Sequence, residues 1–548
     1  MSNYLYVGMS SGPIFELMQY ARATKEHWLA SYMFSRYSQH MVREITEKLN
    51  GADVDYCLIS PCLTPEQTKK PNPLATEGDK RQLRIGLYSD RIFFRVRQDA
   101  EELARTVVVD AIDSAKTMLA EIMAKIIGRR ADACKKAVEA VVYTCFIFRR
   151  ADKIPLEEMN MVLDERELFA GDRPDEGTEA GNEWELLFDK EKLSSNRCTW
   201  ISESALRGAD LEDVAGAKQP GYCNTQASNY YAVIVADGDG VGTVLGNTKN
   251  LDETECDNAV QEISKGLLRY ADKASLEVLD YETNAYPVYF GGDDMECFVP
   301  LCSMQKKQDF IDLIKQLDQV FTAVFKGDPD AAAAEDRKGI PGCEGCTASF
   351  GVNIVYFKYP LNKAINEAHQ LLDQAKHADY TPAGAAPDDI RIKKNSVCIR
   401  LRKHSGQTSG IMLGKSDSVD GQYNAWRAFD DYLSLHESET IIHQIHHRLM
   451  GQKALLLAMV QLPPEARRDR IIAWLQNQQE ETPVSPTYTG RIADLLIALW
   501  ECRQRQQRSK DEQLAFLNNI DGVFRLGELM DLHAAQTRVK EKKEEGAS

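Results

Sequence analysis

Residues 286–300 read Tyr-Pro-Val-Tyr-Phe-Gly-Gly-Asp-Asp-Met-Glu-Cys-Phe-Val-Pro. Val288, Tyr289 and Phe290 form a β-prone run, Gly291 and Gly292 permit a tight turn, and Cys297, Phe298 and Val299 form a returning run, which predicts a hairpin. Asp293 and Asp294 stand side by side at its tip. Adjacent carboxylates repel, and hard cations such as Mg²⁺ would neutralise them. Gly and Asp are also what ordinary solvated turns select, so this stretch alone leaves both readings open.

A second stretch lies upstream, Tyr231-Ala-Val-Ile-Val-Ala-Asp-Gly-Asp-Gly-Val-Gly-Thr. Ala232 to Ala236 read as a fully buried strand, with Asp237 the first polar residue at its end. Gly238, Gly240 and Gly242 keep the exit small enough for a metal–nucleotide complex to approach the backbone. No Gly-Lys-Ser/Thr follows, so this is not a Walker loop, and Gly240, Gly242 and Leu245 miss the dinucleotide glycine spacing. Together the two stretches resemble a palm-type nucleotidyl transferase.

At 548 residues, 43% of them hydrophobic, the chain is long enough for three or four domains of about 100–200 residues each. A formal net charge of −17 argues against a free-standing nucleic-acid binder relying on broad phosphate attraction, so nucleic acid would be met locally or through partners. Thirteen scattered cysteines, no charged-then-apolar leader and no apolar run of membrane-spanning length lead us to expect a reducing cytoplasm and no membrane span.

In chain order, residues 3–8 read as a strand and Pro13 onward as a long amphipathic helix whose Trp28, Tyr32 and Ser35 recur near helical spacing, a core-packing pattern. Strands are expected from Tyr56 and after Gly86, a helix over 99–127, and a strand over Val141–Phe148. Residues 164–183, rich in Asp, Glu and Gly, read as an exposed connector. Residues 229–410 give strand, helix, hairpin, a helix at 311–325, a Gly/Asp/Cys loop, a strand at 347–355 and a helix at 361–378, which fits an α+β sheet with helices on one face. From about 425 the pattern is helical, interrupted at 476–489, and the mixed-charge tail after Val539 is expected to fray.

Asp237 with its glycines, the Gly291-Gly292-Asp293-Asp294 hairpin, and Ala375-Lys376 closing a helix after Thr347-Ala-Ser-Phe-Gly resemble the catalytic palm of the large polymerase/cyclase subunit of type III CRISPR effector complexes, most similar to the Cmr type. Gly12-Pro13 followed by Ala21-Arg-Ala-Thr-Lys-Glu-His-Trp-Leu-Ala-Ser-Tyr-Met-Phe-Ser35 resembles the first, non-catalytic palm of that subunit. The resemblance spans residues 1–410 and implies two ferredoxin-like palm domains with helical domains between and after them. The implied division is a first palm with a helical insertion at 1–150, an acidic connector and inter-palm region at 151–228, the catalytic palm at 229–410 and a C-terminal helical domain at 411–548.

Two departures from the family matter. No His in the sequence is followed by Asp, the mark of the family's N-terminal nuclease domain, so DNA cleavage is not expected. The paired-cysteine zinc site between the palms is represented by separated Cys198 and Cys223 alone. Cys343-Glu-Gly-Cys346 is half a tetrahedral site, and zinc is not expected there. His443, His446 and His447 at i, i+3, i+4 spacing read as an exposed helix face.

By resemblance, Asp237, Asp293 and Asp294 would be catalytic and would hold two Mg²⁺ or Mn²⁺ ions, with Gly238, Asp239, Gly291, Gly292, Lys376, Asp90 and Arg91 against nucleotide. One ion would lower the pKa of an attacking ribose hydroxyl and the other would neutralise the leaving pyrophosphate. Lys376 ends a helix with an apolar stripe at Ala364, Ala368, Leu371, Leu372 and Ala375, held rigidly enough to reach a triphosphate.

The implied activity is a target-RNA-activated nucleotidyltransferase that makes an adenylate messenger from ATP in antiviral defence, partnered by other type III effector subunits, crRNA and target RNA. The alternative is a catalytically silent scaffold subunit. The family's first palm carries Pro-Asn-Arg where this chain reads Ser89-Asp90-Arg91. A carboxylate there disfavours a second triphosphate and suits a cationic amine. The product is therefore either cyclic oligoadenylate or AMP transferred onto S-adenosylmethionine, a reaction known for some family members without the nuclease domain.

Overall fold

In the computed structural model, residues 4–18, 21, 23–74, 85–169, 184, 186–187, 210–216, 229–303, 306, 308–330, 337–380, 392–415, 425–434, 439–477, 485–502 and 509–545 are described. The chain forms two compact units: Met1–Asp210, Gly240–Cys297 and Gln316–Cys346 in one, and Leu211–Asp239, Phe298–Lys315 and Thr347–Ser548 in the other.

In the first unit, β1 (Tyr4–Gly12), β2 (Tyr56–Ser60), β3 (Arg91–Arg97) and β4 (Tyr143–Ala151) form an antiparallel sheet in the order β2-β3-β1-β4. The predicted single helix after Pro13 is two, α1 (Ile14–Met18) and α2 (Thr24–Gly51). Trp28, Tyr32 and Ser35 are buried as the spacing predicts, with Trp28 and Tyr32 stacked at 5.1 Å. α2 also buries Glu26, His27, Ser31 and Gln39, which an amphipathic pattern would leave at the surface. Such groups stay inside only when hydrogen-bonded, and Gln39 donates to the Thr68 carbonyl at 2.8 Å while Ser35 Oγ accepts the Tyr88 amide at 3.0 Å. α3 (Pro65–Thr68), α4 (Glu101–Ile127), α5 (Ala131–Val141) and α6 (Leu156–Phe169) complete the N-terminal part; α6 covers the first residues of the expected connector, and 170–183 lie outside the described residues.

The same unit holds α8 (Val241–Asn247) and α9 (Glu253–Tyr281), after α7 (Leu211–Ala215) of the other unit. Asp257 of α9 is buried and receives the Tyr6 hydroxyl at 2.9 Å, the Ile154 amide at 3.1 Å and the Arg95 guanidinium, so that α9 is bolted to β1, to β3 and to the segment after β4.

In the second unit, β5 (Tyr230–Asp239), β10 (Thr347–Tyr356), β13 (Ser396–Arg402) and β14 (Thr408–Gly414) lie in the order β14-β13-β10-β5. β10 is antiparallel to β5 and parallel to β13. The β5 strand runs through Asp239 instead of ending at Asp237, because its pairing with β10 continues to Thr347. Along the chain between β5 and β10 come β6 (Tyr286–Gly291) of the first unit, β7 (Asp294–Pro300), which runs from the first unit into the second, the two-residue strands β8 (Cys302–Ser303) and β9 (Gln308–Asp309), and α10 (Phe310–Lys326), whose residues divide between the units at Gln316. β11 (Asp379–Tyr380) pairs with β12 (Ile392–Lys393).

Helix α11 (Leu361–Lys376) buries the predicted stripe, Ala364, Ala368, Leu371, Leu372 and Ala375, against β10. Its backbone crosses Gly351 so closely that a Cβ there would collide with Ala368 and Leu372, so the glycine fixes the approach.

The C-terminal part is helical as read: α12 (Ala425–Leu433), α13 (Glu439–Gly451), α14 (Lys453–Val460), α15 (Pro464–Gln476), α16 (Pro486–Glu501) and α17 (Ser509–Glu545). α17 continues past Val539 to Glu545, where the sequence predicts a fraying tail, since Lys and Glu are good helix formers. From α17, the Asn519 side-chain amide accepts the Met412 N–H at 3.0 Å and donates to the Met412 carbonyl at 3.2 Å on β14. No helix among the described residues is long and apolar enough to cross a membrane.

The histidine face on α13 differs from the sequence reading. His446 is buried, with Nδ1 3.0 Å from Glu528 and Nε2 3.1 Å from Asp521, both on α17. Asp521 also takes Arg525 at 2.8 Å and the Ser409 hydroxyl at 3.0 Å. Burial pulls the imidazole pKa down, but the hydrogen bonds that the ring donates to Asp521 and Glu528 outweigh it and the net shift is upward. A His raised in the fold contributes stability fully below its unfolded value of about 6.5, and loses it as pH rises through the folded value. The unfolding temperature of the chain should therefore fall between about pH 6 and about pH 9 in a part that His446→Gln removes, as measured by thermal denaturation across that range.

Candidate nucleotide and metal site

The hairpin predicted around Gly291-Gly292-Asp293-Asp294 forms between β6 and β7, with Gly292 and Asp293 as its two-residue turn. Gly292 has φ +74° and Asp293 is not in the left-handed region, the requirement of a type II′ turn that glycine meets at its first central position. Asp293 is half-buried and Asp294 exposed. The two carboxylates thus stand at a two-residue turn, with Asp294 at its surface, and oxygen donors of this kind fit a hard divalent cation.

Tyr289 was not singled out from the sequence. Its hydroxyl lies over Gly291, where any Cβ would collide with it. Burial drives its phenol pKa well up, and the charges of Asp90, Asp294 and Asp293 push it further in the same direction. The fold therefore brings Asp90, from the loop before β3, into electrostatic reach of the same phenol as the turn carboxylates. A Tyr in the middle of a β-prone run gives no sign of this.

Asp90 is half-buried, and burial raises its pKa above the usual carboxylate value against the lowering effect of Arg91. The Arg91 guanidinium is directed to α6, donating to Asn160 at 2.6 Å and pairing with Asp164 and, at 3.4 Å, with Glu167.

In the second unit, Asp237, Ser349 and Gly351 belong to the face of β5 and β10 that α11 covers, and Lys376 in the last turn of α11 pairs with Asp237. The Asp237 side chain is 13% exposed and that of Lys376 33%. Asp239 is buried opposite Thr347. Its Oδ2 accepts the Thr347 hydroxyl at 3.0 Å, the Ser349 hydroxyl at 2.6 Å and the Asn395 amide at 3.0 Å, while its buried Oδ1 meets no hydrogen-bond partner among the described residues. Gly238 lies between the two carboxylates, opposite Ala348.

Cys343 and Cys346 are both buried in one turn, with the Cys346 amide on the Cys343 carbonyl at 2.9 Å. Among the described residues no three His, Cys, Asp or Glu side chains cluster as a metal site, and Cys198 and Cys223 lie outside those residues.

A family model described as Cas10/Cmr2, second palm domain, matches residues 230–381, and one described as CRISPR-associated protein Cmr2, N-terminal, matches residues 6–128. The chain belongs to the Cas10/Cmr2 family. Among solved structures it is similar to type III-B Cmr-beta in the apo state, with TM-score 0.58 and 11% identity over 96% of this chain and 82% of that one. Cmr-beta bound to cognate target RNA gives TM-score 0.56 and 10% identity over 96% and 83%. A Csm1–Csm4 cassette in complex with cA4 overlaps more loosely, with TM-score 0.44 and 11% identity over 97% and 70%. No curated protein matches the chain. The family match and the two Cmr-beta likenesses speak to the fold, an α+β chain of palm domains and helical regions. Asp237, Asp239, Asp293, Asp294 and Lys376 fall inside the Cas10/Cmr2 second palm match, and Asp90 and Arg91 inside the Cmr2 N-terminal match.

A carboxyl group whose pKa is raised by folding contributes stability below its unfolded value and loses it as pH rises through the folded value. Asp90→Asn should therefore unfold at a higher temperature than the parent chain at neutral pH, with the gap narrowing as pH falls toward about 4. Thermal denaturation of the two chains at both ends of that range measures it.

Proposed function

We propose that this chain is the nucleotidyltransferase subunit of a type III CRISPR ribonucleoprotein, switched on by target RNA and making an adenylate second messenger from ATP. The observation that carries this reading is the type II′ turn with Asp293 and Asp294 at its tip, inside the stretch matched by the family's second palm. Mg²⁺ or Mn²⁺ held by the paired Asp293 and Asp294, with Asp237 as the third ligand that the family resemblance implies, would activate a ribose hydroxyl and neutralise pyrophosphate as it leaves. Lys376, in the last turn of α11, would exchange its pairing with Asp237 for the triphosphate, and Gly238, Gly291 and Gly292 would let the backbone come close to nucleotide. We read Asp239 as holding β5, β10 and Asn395 together beside Asp237.

In this reading residues 1–150 are the first palm, 151–228 the inter-palm region, 229–410 the catalytic palm and 411–548 the C-terminal helical domain. The partners in this reading are other effector subunits, crRNA and target RNA; Cmr-beta, to which the chain is similar, is known bound to cognate target RNA. The Lys376–Asp237 pair favours a second reading, a silent scaffold whose carboxylate is permanently neutralised. The assembled complex, given crRNA, target RNA, ATP and Mg²⁺ or Mn²⁺, should release pyrophosphate and form adenylates, and Asp293→Ala with Asp294→Ala should abolish both while leaving assembly intact. Undiminished product from that double variant would remove the palm chemistry, since loss of metal ligands should cost several kcal/mol of barrier, or roughly a thousandfold in rate.

For the acceptor, the Asp90 carboxylate, flanked by Arg91 and with Glu167 in electrostatic reach, favours a ligand with a cationic group over a second triphosphate. S-adenosylmethionine offers an α-ammonium, a sulfonium and a free ribose hydroxyl to receive AMP. Labelled ATP with and without S-adenosylmethionine, with products identified by mass, should give an adenylated product that depends on it and is weakened by Asp90→Asn. Oligoadenylates from ATP alone, unchanged by S-adenosylmethionine, would assign the cyclic product instead.

A further inference from the structure

Glu296 lies two residues beyond Asp294 on β7, so the two side chains belong to the same face of the strand. Asp294 is exposed and Glu296 is buried. A carboxyl group inside a protein has to be paired and hydrogen-bonded. Its partner is His27 on α2, whose Nε2 is 2.7 Å from Glu296 Oε1, with both side chains 4% exposed. The other ring nitrogen, Nδ1, is 3.2 Å from the Met18 carbonyl. A carbonyl only accepts, so Nδ1 carries a proton, and the short Nε2 contact requires a second proton between the ring and Glu296. The pair is net neutral whichever partner keeps it. One turn earlier on α2, the Thr24 hydroxyl hydrogen-bonds Tyr286 at the start of β6. The first turn of α2 thus grips both strands of the hairpin.

We propose that His27 is a positioning residue for the Asp293–Asp294 turn. By holding Glu296 it fixes the rotation of β7 about its own axis, and that rotation decides where the oxygens of the two turn carboxylates point. Plain packing does not require this device. An apolar pair would fill the same space without burying ionisable groups, and often with equal or greater stability. The inference rests on the metal-binding reading of the turn given under the proposed function. It assigns to the N-terminal part of the chain a direct hold on the hairpin of the second palm.

The test uses the full chain and three variants. His27→Leu removes the imidazole from beside buried Glu296 and should lower the unfolding temperature. His27→Leu with Glu296→Met replaces the pair by apolar groups and should return the unfolding temperature to that of the parent. His27→Gln keeps a donor near the position of Nε2. Mn²⁺ affinity is read by titration of the chain, and pyrophosphate release by the assembled complex.

If His27 positions the turn, the double variant loses about 10–100-fold in Mn²⁺ affinity and in rate despite its restored stability, the scale expected when the support of a metal ligand is removed. His27→Gln should recover most of that loss. A double variant equal to the parent in both readouts would overturn the inference and leave the proposed function standing. A parent chain that neither binds Mn²⁺ nor forms product would overturn the proposed function, and this inference with it.

Discussion

A carboxylate taken out of water must find donors, and at Asp257 it finds them on three separate segments. The Tyr6 hydroxyl comes from β1, the Arg95 guanidinium from β3 and the Ile154 amide from the chain after β4. Removing any of them would leave buried charge poorly compensated, which is why such centres hold their neighbours in one arrangement. Asp257 is on α9, the helix that leads into the β6–β7 hairpin, so the N-terminal sheet and the hairpin's turn fall in the same compact unit. The stretch matched by the second palm model is accordingly divided, with α9 and the turn in one unit and β5, β10 and α11 in the other. Residues distant in sequence gain a common frame from this one buried group.

The strands and the turn were legible because their signals are local. A run of β-branched and aromatic residues, two glycines and two aspartates specify a hairpin within a dozen positions, and the apolar stripe of α11 specifies which face packs and where Lys376 ends up. The break between α1 and α2 and the extension of β5 to Asp239 were not legible, since partner segments set them. Asp239 stays in the strand because Thr347, opposite it, and Ser349, two positions further along β10, donate their hydroxyls to it.

Polar pairs across the fold were hidden altogether. His446 meets acids 75 and 82 residues away, and His27 meets Glu296 across 269 residues. Helical spacing reports only a residue's neighbours on its own helix, so a histidine with partners elsewhere reads as surface. For the same reason a sequence reading of α2 found its aromatic stripe and missed the buried Glu26, His27 and Gln39. The candidate site was legible as a list of carboxylates; the phenol of Tyr289 that links Asp90 to the turn was not.

Asn519 carries a consequence for assembly. Its amide offers Met412 one acceptor and one donor, the complement that a neighbouring peptide unit would present to an edge strand. β14 stands at the end of its sheet, where exposed N–H and C=O groups would template an additional strand from another molecule. A side chain mimicking one peptide link closes that ladder at Met412. Any protein that docks on this edge must therefore be recognised by surface shape and side chains, because the hydrogen-bonding route to strand addition is blocked at that residue by the chain itself.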